Sequence, residues 1–401
     1  MSGVPHSATL DLGAADAGAL TATVYRDTAD IAALRADWLR LAAEAPSLTP
    51  WQQWEFATSW WPTVGAHPEP PLQRELRIVV VRNACGAMLL LLPLQLSRRG
   101  RFGMRWLEPL GMPDDIHRPR LGLGALNPQA YACALRAIDS RRGEWDGLRI
   151  DEKSSGDAEL ALLCEPVRAL GWRERRAPFH PCPYLTIDRG WTEYLAGRSH
   201  KLRKNLGSGR RKLQAQGELR LRCYRSPEQI QEAVELLVRI TARSWKAEAR
   251  IGLCASERYR DYFRDFAARM ARSGCARAYG LFAGERPVAA TLAFIRGHTY
   301  YSTQIAHDRE FDACSPGTIL ESLEMQALHE ERAFEVFDFL GAALANKRRW
   351  TDTMHQTQRI LRLGNSLRAR IFDALYFTLK PRFAAWQARL KPPAAPPTAT
   401  R

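Results

Sequence analysis

The stretch YYSTQIAHDREFDACSPGTILESLEMQALHEE, residues Tyr300–Glu331, combines a β-strand pattern with the start of a long helix. It opens with aromatic, β-prone residues and ends with apolar side chains at helical spacing. Between them, Ser315 suits a helix N-cap and Pro316 suits the first helical turn. Gly317 adds no side chain, so an anion could approach the unpaired N–H groups of the helix start. The pattern predicts a phosphate site at Ser315–Thr318; the simpler interpretation is a well-capped helix.

The same order of elements occurs twice along the chain. Each half shows helices, three antiparallel strands, a loop, a proline-capped helix and then a strand that carries Asp. The strand–turn–strand segments are residues 76–96 and 276–295, and Asn127-Pro128 corresponds to Ser315-Pro316. This repeat predicts an α+β fold with tandem domains, mixed β-sheets and flanking helices, and a ligand cleft between the halves.

Chain order and composition also predict where the domains begin and end. We expect a flexible N-terminus at residues 1–20, a first domain at 21–190 and a second domain at 191–390. The Pro/Ala-rich segment 391–401 is expected to be disordered. The first domain is expected to be catalytically degenerate and to lie on the acceptor side of the cleft.

The overall composition favours large cores and anionic partners. Hydrophobic residues make up 46% of the 401 residues, which suits two folded domains. The formal net charge of +15 favours nucleic acid, an anionic membrane surface or phosphorylated small molecules. A solvated, Arg-rich surface explains the same charge without any specific partner.

Several classes of site and of location are disfavoured. The eight cysteines form no C-x-x-C pair, and the nine histidines form no H-x-x-x-H or H-E-x-x-H spacing, so no metal is expected. The N-terminal residues lack the pattern of a signal peptide, and the longest apolar run, residues 87–94, is too short to span a bilayer. We therefore expect a cytoplasmic protein, with peripheral contact to the inner membrane as one alternative.

Four separated motifs carry a resemblance to a known family. SPGTILESLEMQAL (residues 315–328) and FEVFDFLGAALANKRRWTD (334–352) resemble the second domain of the CelD-type acyltransferases. SHKLRKNLGSGRRKLQAQGELRLRCY (199–224) and LVRITARSWKAEARIGL (237–253) resemble two further landmarks of that family. These proteins are double-domain relatives of the GNAT fold, linked to bacterial cellulose biosynthesis. The resemblance covers residues 191–363, and 24–188 more loosely.

The resemblance implies acyl transfer from acyl-CoA, with an acetyl or longer acyl group, to an amine or hydroxyl. The acceptor would be a small molecule or a cell-envelope or polysaccharide precursor. Pantetheine would lie between strands near Tyr300–Ile305 and Val336–Leu340, and the pyrophosphate would bind at Ser315, Pro316, Gly317 and Thr318. The chain departs from the usual GNAT loop, R/Q-x-x-G-x-G/A. Fem-type relatives use aminoacyl-tRNA, so tRNA remains an alternative donor, while no DNA partner is expected.

Three residues are candidates for the chemistry. Asp338 lies within an otherwise apolar strand, where partial burial would raise its pKa as a general base requires; a structural ion pair is the alternative. Tyr301 and Gln304 on the neighbouring strand are candidates for orienting the acceptor, although a polar strand end explains them equally well. His307 is a second candidate base, or simply a solvated loop histidine.

A further group of residues is predicted to line the acceptor pocket: Trp245, Lys246, Lys347 and Trp350. Aromatic side chains suit a sugar or acyl face, and basic ones suit a phosphate. For Trp245, packing in a core is the alternative interpretation. In the first half, the loop PDDIHRP (residues 113–119) is a candidate acceptor contact or an ordinary polar loop.

Two segments suggest contact with polyanions. Residues 198–212 hold seven Lys/Arg and no acidic residue, which favours binding of CoA, tRNA or a lipid-linked sugar over a merely solvated face. The final helix, residues 366–390, mixes apolar and basic side chains and either lies on an anionic membrane or packs on the domain. A non-catalytic module that binds nucleic acid or membrane is therefore the rival interpretation to an enzyme.

Overall fold

The computed structural model describes residues 8–11, 20–45, 48–69, 72–100, 103–111, 120–154 and 157–380. The loop 113–119 and the tail 391–401, for which the sequence makes predictions, lie outside these residues. Ala8–Asp11, inside the segment predicted to be flexible, forms a strand that pairs with Thr21–Tyr25.

The strands are β1 Ala8–Asp11, β2 Thr21–Tyr25, β3 Gln73–Arg82, β4 Met88–Arg99, β5 Met104–Pro109, β6 Gly147–Ser154, β7 Arg173–Pro178, β8 Cys182–Thr186, β9 Leu219–Tyr224, β10 Ala276–Ala283, β11 Arg286–Arg296, β12 Thr299–His307, β13 Val336–Asp338, β14 Met354–His355 and β15 Thr357–Leu363. The segment 334–341 reads as one strand in the sequence, but β13 covers only three of its residues.

The helices are α1 Thr28–Ala33, α2 Arg35–Glu44, α3 Trp54–Trp60, α4 Pro128–Asp139, α5 Ala158–Ala169, α6 Trp191–Ala196, α7 His200–Gln214, α8 Pro227–Ala242, α9 Trp245–Ala249, α10 Glu257–Arg272, α11 Pro316–Glu331, α12 Ala345–Arg348 and α13 Leu367–Asp373. Proline begins α4 and α11 as predicted. In α4 the Asn127 side chain also accepts hydrogen bonds from Gln129 N and Ala130 N.

The strands form two mixed sheets with flanking helices, which confirms the predicted α+β fold. Among the described residues, the first sheet has the order β1-β2-β3-β4-β5-β6-β15-β7 and the second has the order β14-β8-β13-β12-β11-β10-β9. In each sheet, three consecutive antiparallel strands lead to one parallel pair, β5–β6 in the first and β12–β13 in the second.

The two halves exchange one strand each. β8 comes from the first half of the chain but pairs with β13 and β14 in the second sheet. β15 comes from the second half but pairs with β6 and β7 in the first sheet. The predicted domain boundary between residues 190 and 191 divides the chain by sequence order. The two sheets do not follow this division, because each contains one strand from the other half.

The second sheet separates two apolar cores. Helices α8 and α10 pack on one face, together with Tyr301 and Leu340, in a core that continues into the first half through α3. On the other face, α7 and α11 pack against Tyr300 and Phe337. Because neighbouring strand residues point to opposite faces, Tyr300 and Tyr301 belong to different cores. A ligand that passes between strands of this sheet would therefore cross from one core to the other.

Candidate active site between two separating strands

β12 and β13 begin as a parallel pair and then separate. Their facing residues are Thr299 with Val336, Tyr300 with Phe337, and Tyr301 with Asp338. β13 ends at that point, whereas β12 continues to His307 and pairs there with β11. Within the part of the chain that the structure describes, the other edge of β12 has no strand partner beyond Tyr301.

An irregularity of β12 lies at the start of this free edge. Its register with β11 shifts between Leu292, which faces Gln304, and Ala293, which faces Ser302. Thr303 is the extra residue of this β-bulge, and its hydroxyl donates to Tyr301 O at 3.0 Å. Bulges increase twist and re-aim side chains, and they occur often beside active sites.

The opening between the strands leads into a cavity of about 760 Å³. Ser302–His307 of β12 form one side and Phe339–Ala342, directly after β13, form the other. The walls include the start of α11 on one face of the sheet and Tyr262 and Phe263 of α10 on the opposite face. The cavity therefore passes through the sheet at the point where the strands part.

At one end of the cavity, the N-terminus of α11 is shaped to leave room for a ligand. Ser315 occupies the N-cap with φ 53° and makes no side-chain capping bond; its carbonyl instead accepts from Thr318 N and Ile319 N at 3.0 and 3.2 Å. A serine in this left-handed conformation carries a strain that neighbouring structure must offset. Gly317 is buried, and a Cβ on it would lie 3.2 Å from His307 Nδ1.

Cationic side chains surround this end. Arg349 Nη1 donates to Thr318 Oγ1 at 2.6 Å, and Lys347 Nζ donates to Leu340 O. Lys246 Nζ donates to Ile305 O at 2.7 Å, and burial lowers the pKa of its ammonium group. The end of the helix dipole and these cations produce a positive field at the cavity, which suits phosphate groups.

The three candidate catalytic residues lie close together, but only Gln304 lines the cavity. Asp338 is buried, and Leu340 N donates to its Oδ1 at 2.7 Å. Loss of hydration raises the pKa of Asp338 to about 6, against the opposing effects of that hydrogen bond and of Lys347. Burial and the nearby Asp338 charge raise the pKa of Tyr301, so its phenol stays neutral.

The predicted pocket residues divide into two groups. Trp245, Lys246 and Lys347 line the cavity, and Trp245 is half exposed, so the alternative of core packing does not apply to it. Trp350 is fully buried and instead donates from Nε1 to Glu321 Oε2 at 3.0 Å. His307 lines the cavity and its Nε2 lies 2.9 Å from Asp312 Oδ1.

Sequence reasoning missed two buried carboxyl groups on α11. Glu321 lines the cavity, and desolvation raises its pKa to about 7. Glu324 accepts hydrogen bonds from Tyr300 OH and Thr291 Oγ1, and desolvation raises its pKa to about 8. Their position was readable from the sequence, because residues 317, 321, 324 and 328 follow helical spacing on one buried stripe.

The basic helix α7 lies directly beside the start of α11. A Cβ on Gly209 would lie 2.5 Å from Cys314 O, so glycine allows the two segments to touch. Lys212 Nζ donates to Ala313 O at 3.2 Å. Lys201, Lys204 and several arginines of this helix are exposed, so the predicted polyanion surface continues the positive charge of the cavity.

The corresponding place in the first half is filled by its own chain. There Leu123 forms an isolated antiparallel β-bridge with Leu91 of β4, past the last residue of β4 that pairs with β5. Glu159 accepts from Leu121 N, Gly122 N and Tyr131 OH at 2.6, 2.8 and 2.5 Å. Residues 121–123 are thereby held in place by hydrogen bonds within the first half.

Comparison with known proteins agrees with this geometry. Residues 200–348 match the family described as acetyltransferase (GNAT) domain. The structure of FemX superposes with a TM-score of 0.54 at 12% identity, covering 85% of this chain and 98% of FemX. The C-terminal domain (DUF2156) of a putative lysylphosphatidylglycerol synthetase from Agrobacterium fabrum superposes with a TM-score of 0.52 at 12% identity, covering 87% of this chain and 97% of that domain. No curated protein matches by sequence.

A tandem GNAT protein from the clavulanic acid biosynthesis pathway superposes with a TM-score of 0.45 at 16% identity, covering 86% of this chain and 99% of that protein. Residues 200–348 are thus similar to a GNAT-type acetyltransferase domain, and the chain shares its overall fold with FemX. In the described residues, no helix is both long and apolar enough to cross a membrane, and no group of His, Cys, Asp and Glu is arranged to hold a metal ion.

Proposed function

We propose that the protein transfers an acyl group from acyl-CoA to an amine or hydroxyl of a small molecule or an envelope or polysaccharide precursor. The observation that carries this proposal is the cavity between β12 and β13, which runs from the cationic start of α11 through the sheet. Its shape suits a long ligand with phosphates at one end and a reactive group at the other.

In the proposed complex, the CoA phosphates lie at Ser315–Thr318, where the close approach depends on Gly317. Pantetheine pairs with the free edge of β12, and the thioester lies near the bulge at Thr303. The backbone N–H groups of that edge would stabilise the developing oxyanion. Gln304, on the wall, orients the acceptor.

Asp338 is the proposed proton acceptor. A pKa near 6 leaves it ionised at neutral pH and able to take a proton from the attacking group. Asp338 does not line the cavity, so the proton would reach it along the free edge of β12, where β12 and β13 separate. The neighbouring Tyr301 phenol, which also does not line the cavity, would act on the acceptor only through a bridging water.

A thermal-shift titration with free CoA, acetyl-CoA and longer acyl-CoAs tests the donor. A ligand that binds only the native state raises its stability by about 2.7 kcal/mol at a hundredfold excess over Kd. We expect a shift for the wild-type chain and its loss in Gly317→Asp, whose carboxylate would repel the phosphates. Gly317→Asn is the matched control, because it adds almost the same volume without the charge. A chain that binds no CoA of any kind would refute the donor assignment.

Aminoacyl-tRNA is the second candidate donor, because the exposed cations of α7 extend well beyond the cavity. The two donors differ in salt dependence: log K for tRNA falls steeply with log salt, whereas a single CoA shows a shallow slope. Replacing Lys204, Arg210 and Arg211 together by Gln separates them. Retained CoA binding with no measurable tRNA affinity supports acyl-CoA, and steep, α7-dependent tRNA binding supports the alternative.

A cytoplasmic location with peripheral contact to an anionic inner membrane completes the proposal. The exposed apolar and basic residues of the helical segment 367–379, including Leu367 and Arg368, support the contact. Co-sedimentation with vesicles of anionic or zwitterionic lipid measures it directly.

A further inference from the structure

The end of the cavity opposite the phosphate site is aromatic. Tyr259, Tyr262 and Phe263 lie on its wall and are spaced three and four residues apart, so they share one face of α10. Their ring centroids are 5.6 Å apart for Tyr259 and Tyr262, and 5.4 Å apart for Tyr262 and Phe263. Trp51, from the first half of the chain, adds a fourth ring to this wall.

Trp51 is held firmly in this position. Its ring meets Tyr301 edge-on at a centroid distance of 5.9 Å and Phe294 at 6.3 Å. The first half therefore supplies part of the wall, even though its own counterpart of the cavity is filled. The wall has a fixed shape, because each of its rings also packs in the apolar core on that face of the sheet.

The mouth of the cavity carries two exposed apolar side chains. Trp245 and Leu344 line the cavity from two separate elements, and they are 50% and 58% exposed to solvent. Large exposed apolar side chains on the wall of a cavity favour an apolar ligand.

The hydroxyl group of Ser244, which lines the cavity, already has partners in the protein. Ser244 Oγ donates to Thr241 O at 2.8 Å and accepts from Lys246 N at 3.2 Å. A sugar-like ligand needs partners for each of its hydroxyl groups, because a buried hydroxyl without one is costly. An alkyl chain has no such need.

We propose that this aromatic end, with its apolar mouth, receives an acyl chain several carbons longer than acetyl. The inference rests on the proposed function and names the class of acyl donor. The acceptor nitrogen or oxygen attacks the thioester carbon, the new C–N or C–O bond forms and the C–S bond breaks. The acceptor's proton passes to the protein, and the CoA thiolate is protonated as it leaves.

Isothermal titration with free CoA and acetyl-, butyryl-, hexanoyl- and octanoyl-CoA tests the inference without knowledge of the acceptor. Each methylene that becomes fully buried tightens binding by about fourfold. We therefore expect Kd to fall by more than about tenfold from acetyl-CoA to octanoyl-CoA.

A double variant, Trp245→Ser with Leu344→Ser, tests whether the gain in affinity with acyl-chain length arises at this cavity. Both side chains are half exposed, so the fold tolerates their loss. The ratio of the acetyl-CoA Kd to the octanoyl-CoA Kd should fall severalfold. Leu367→Ser is the control, because Leu367 is 73% exposed on α13 and does not line the cavity.

The outcomes separate this inference from the proposed function. Equal affinity for all acyl-CoAs overturns the long-chain assignment and leaves CoA as the donor. A chain-length gain that persists in the double variant also overturns it, because the chain would then bind elsewhere. Failure to bind any CoA overturns both proposals.

Discussion

Tyr301 and Asp338 are the last facing pair of β12 and β13, and the two strands part immediately after them. The cavity begins where this last facing pair of the parallel ladder ends, so both side chains lie beside its opening. The burial that follows raises the pKa of both side chains.

Replacing Asp338 by Asn should slow acyl transfer by about a hundredfold or more, since a general base contributes about that much. A simple alcohol, which does not titrate near pH 6, can serve as a surrogate acceptor, with CoA release followed by thiol titration. In the wild-type chain the rate should fall as pH drops through about 6, because protonated Asp338 cannot accept a proton. The variant should lose this acidic limb while still showing a thermal shift with CoA. An unchanged rate would remove Asp338 from the mechanism.

The exchange of β8 and β15 should make the two halves depend on each other for folding. A chain of residues 191–401 lacks β8, which leaves the edges of β13 and β14 without their shared partner. Unpaired strand edges promote aggregation. We expect this fragment to be insoluble or without fixed tertiary structure by near-ultraviolet circular dichroism. Co-expression with residues 1–190 should restore a soluble complex, and a folded, monomeric 191–401 would contradict the dependence.

Gly209→Ala should destabilise the protein and weaken CoA binding. Its Cβ would meet Cys314 O at 2.5 Å, which forces α7 away from the loop before α11. Such overpacking costs about 1–3 kcal/mol. Gly207→Ala is a matched control on the same helix: it is exposed, with only Arg211 Nη1 near at 3.9 Å. It should stabilise the helix by about 1 kcal/mol or less. Urea unfolding and CoA thermal shifts measure both effects, and equal behaviour of the two variants would contradict the close contact.

Glu324 should make stability depend on pH. Desolvation raises its folded pKa to about 8, so the native state holds the proton more tightly than the unfolded chain. The resulting stability is fully present below the ordinary Glu pKa and is lost as pH rises through about 8. One pKa unit corresponds to about 1.4 kcal/mol, so we expect a loss on the order of 2 kcal/mol between about pH 6 and pH 8.

Glu324→Gln should reduce this dependence to the smaller part contributed by Glu321, whose pKa is also raised, as measured by urea unfolding at several pH values. Glu330→Gln, an exposed change on the same helix, should leave it as in the wild type. A wild-type chain whose stability does not fall over this range would contradict a protonated Glu324.

Features that depend on near neighbours in the chain were predictable from the sequence. Pro316 begins α11, Gly317 lies on the cavity, and the two halves share one order of elements, because caps, turns and periodicity act within a few residues. Trp245, Lys246 and Lys347, which the sequence predicts to line the acceptor pocket, lie on the wall of this cavity.

Contacts between distant segments were decided by the tertiary structure alone. Strand pairing depends on segments far apart in the chain. The residues of β8 and their near neighbours therefore do not show that β8 pairs in the second sheet and not in the first. For the same reason, the sequence did not show that Trp350 is buried against Glu321 while Trp245 is half exposed. The amino-acid sequence by itself determined the α+β repeat and the start of α11 at Pro316. The strand exchange, the separation after Tyr301 and Asp338, and the aromatic end of the cavity required the folded chain, since each joins residues that only long-range packing brings together.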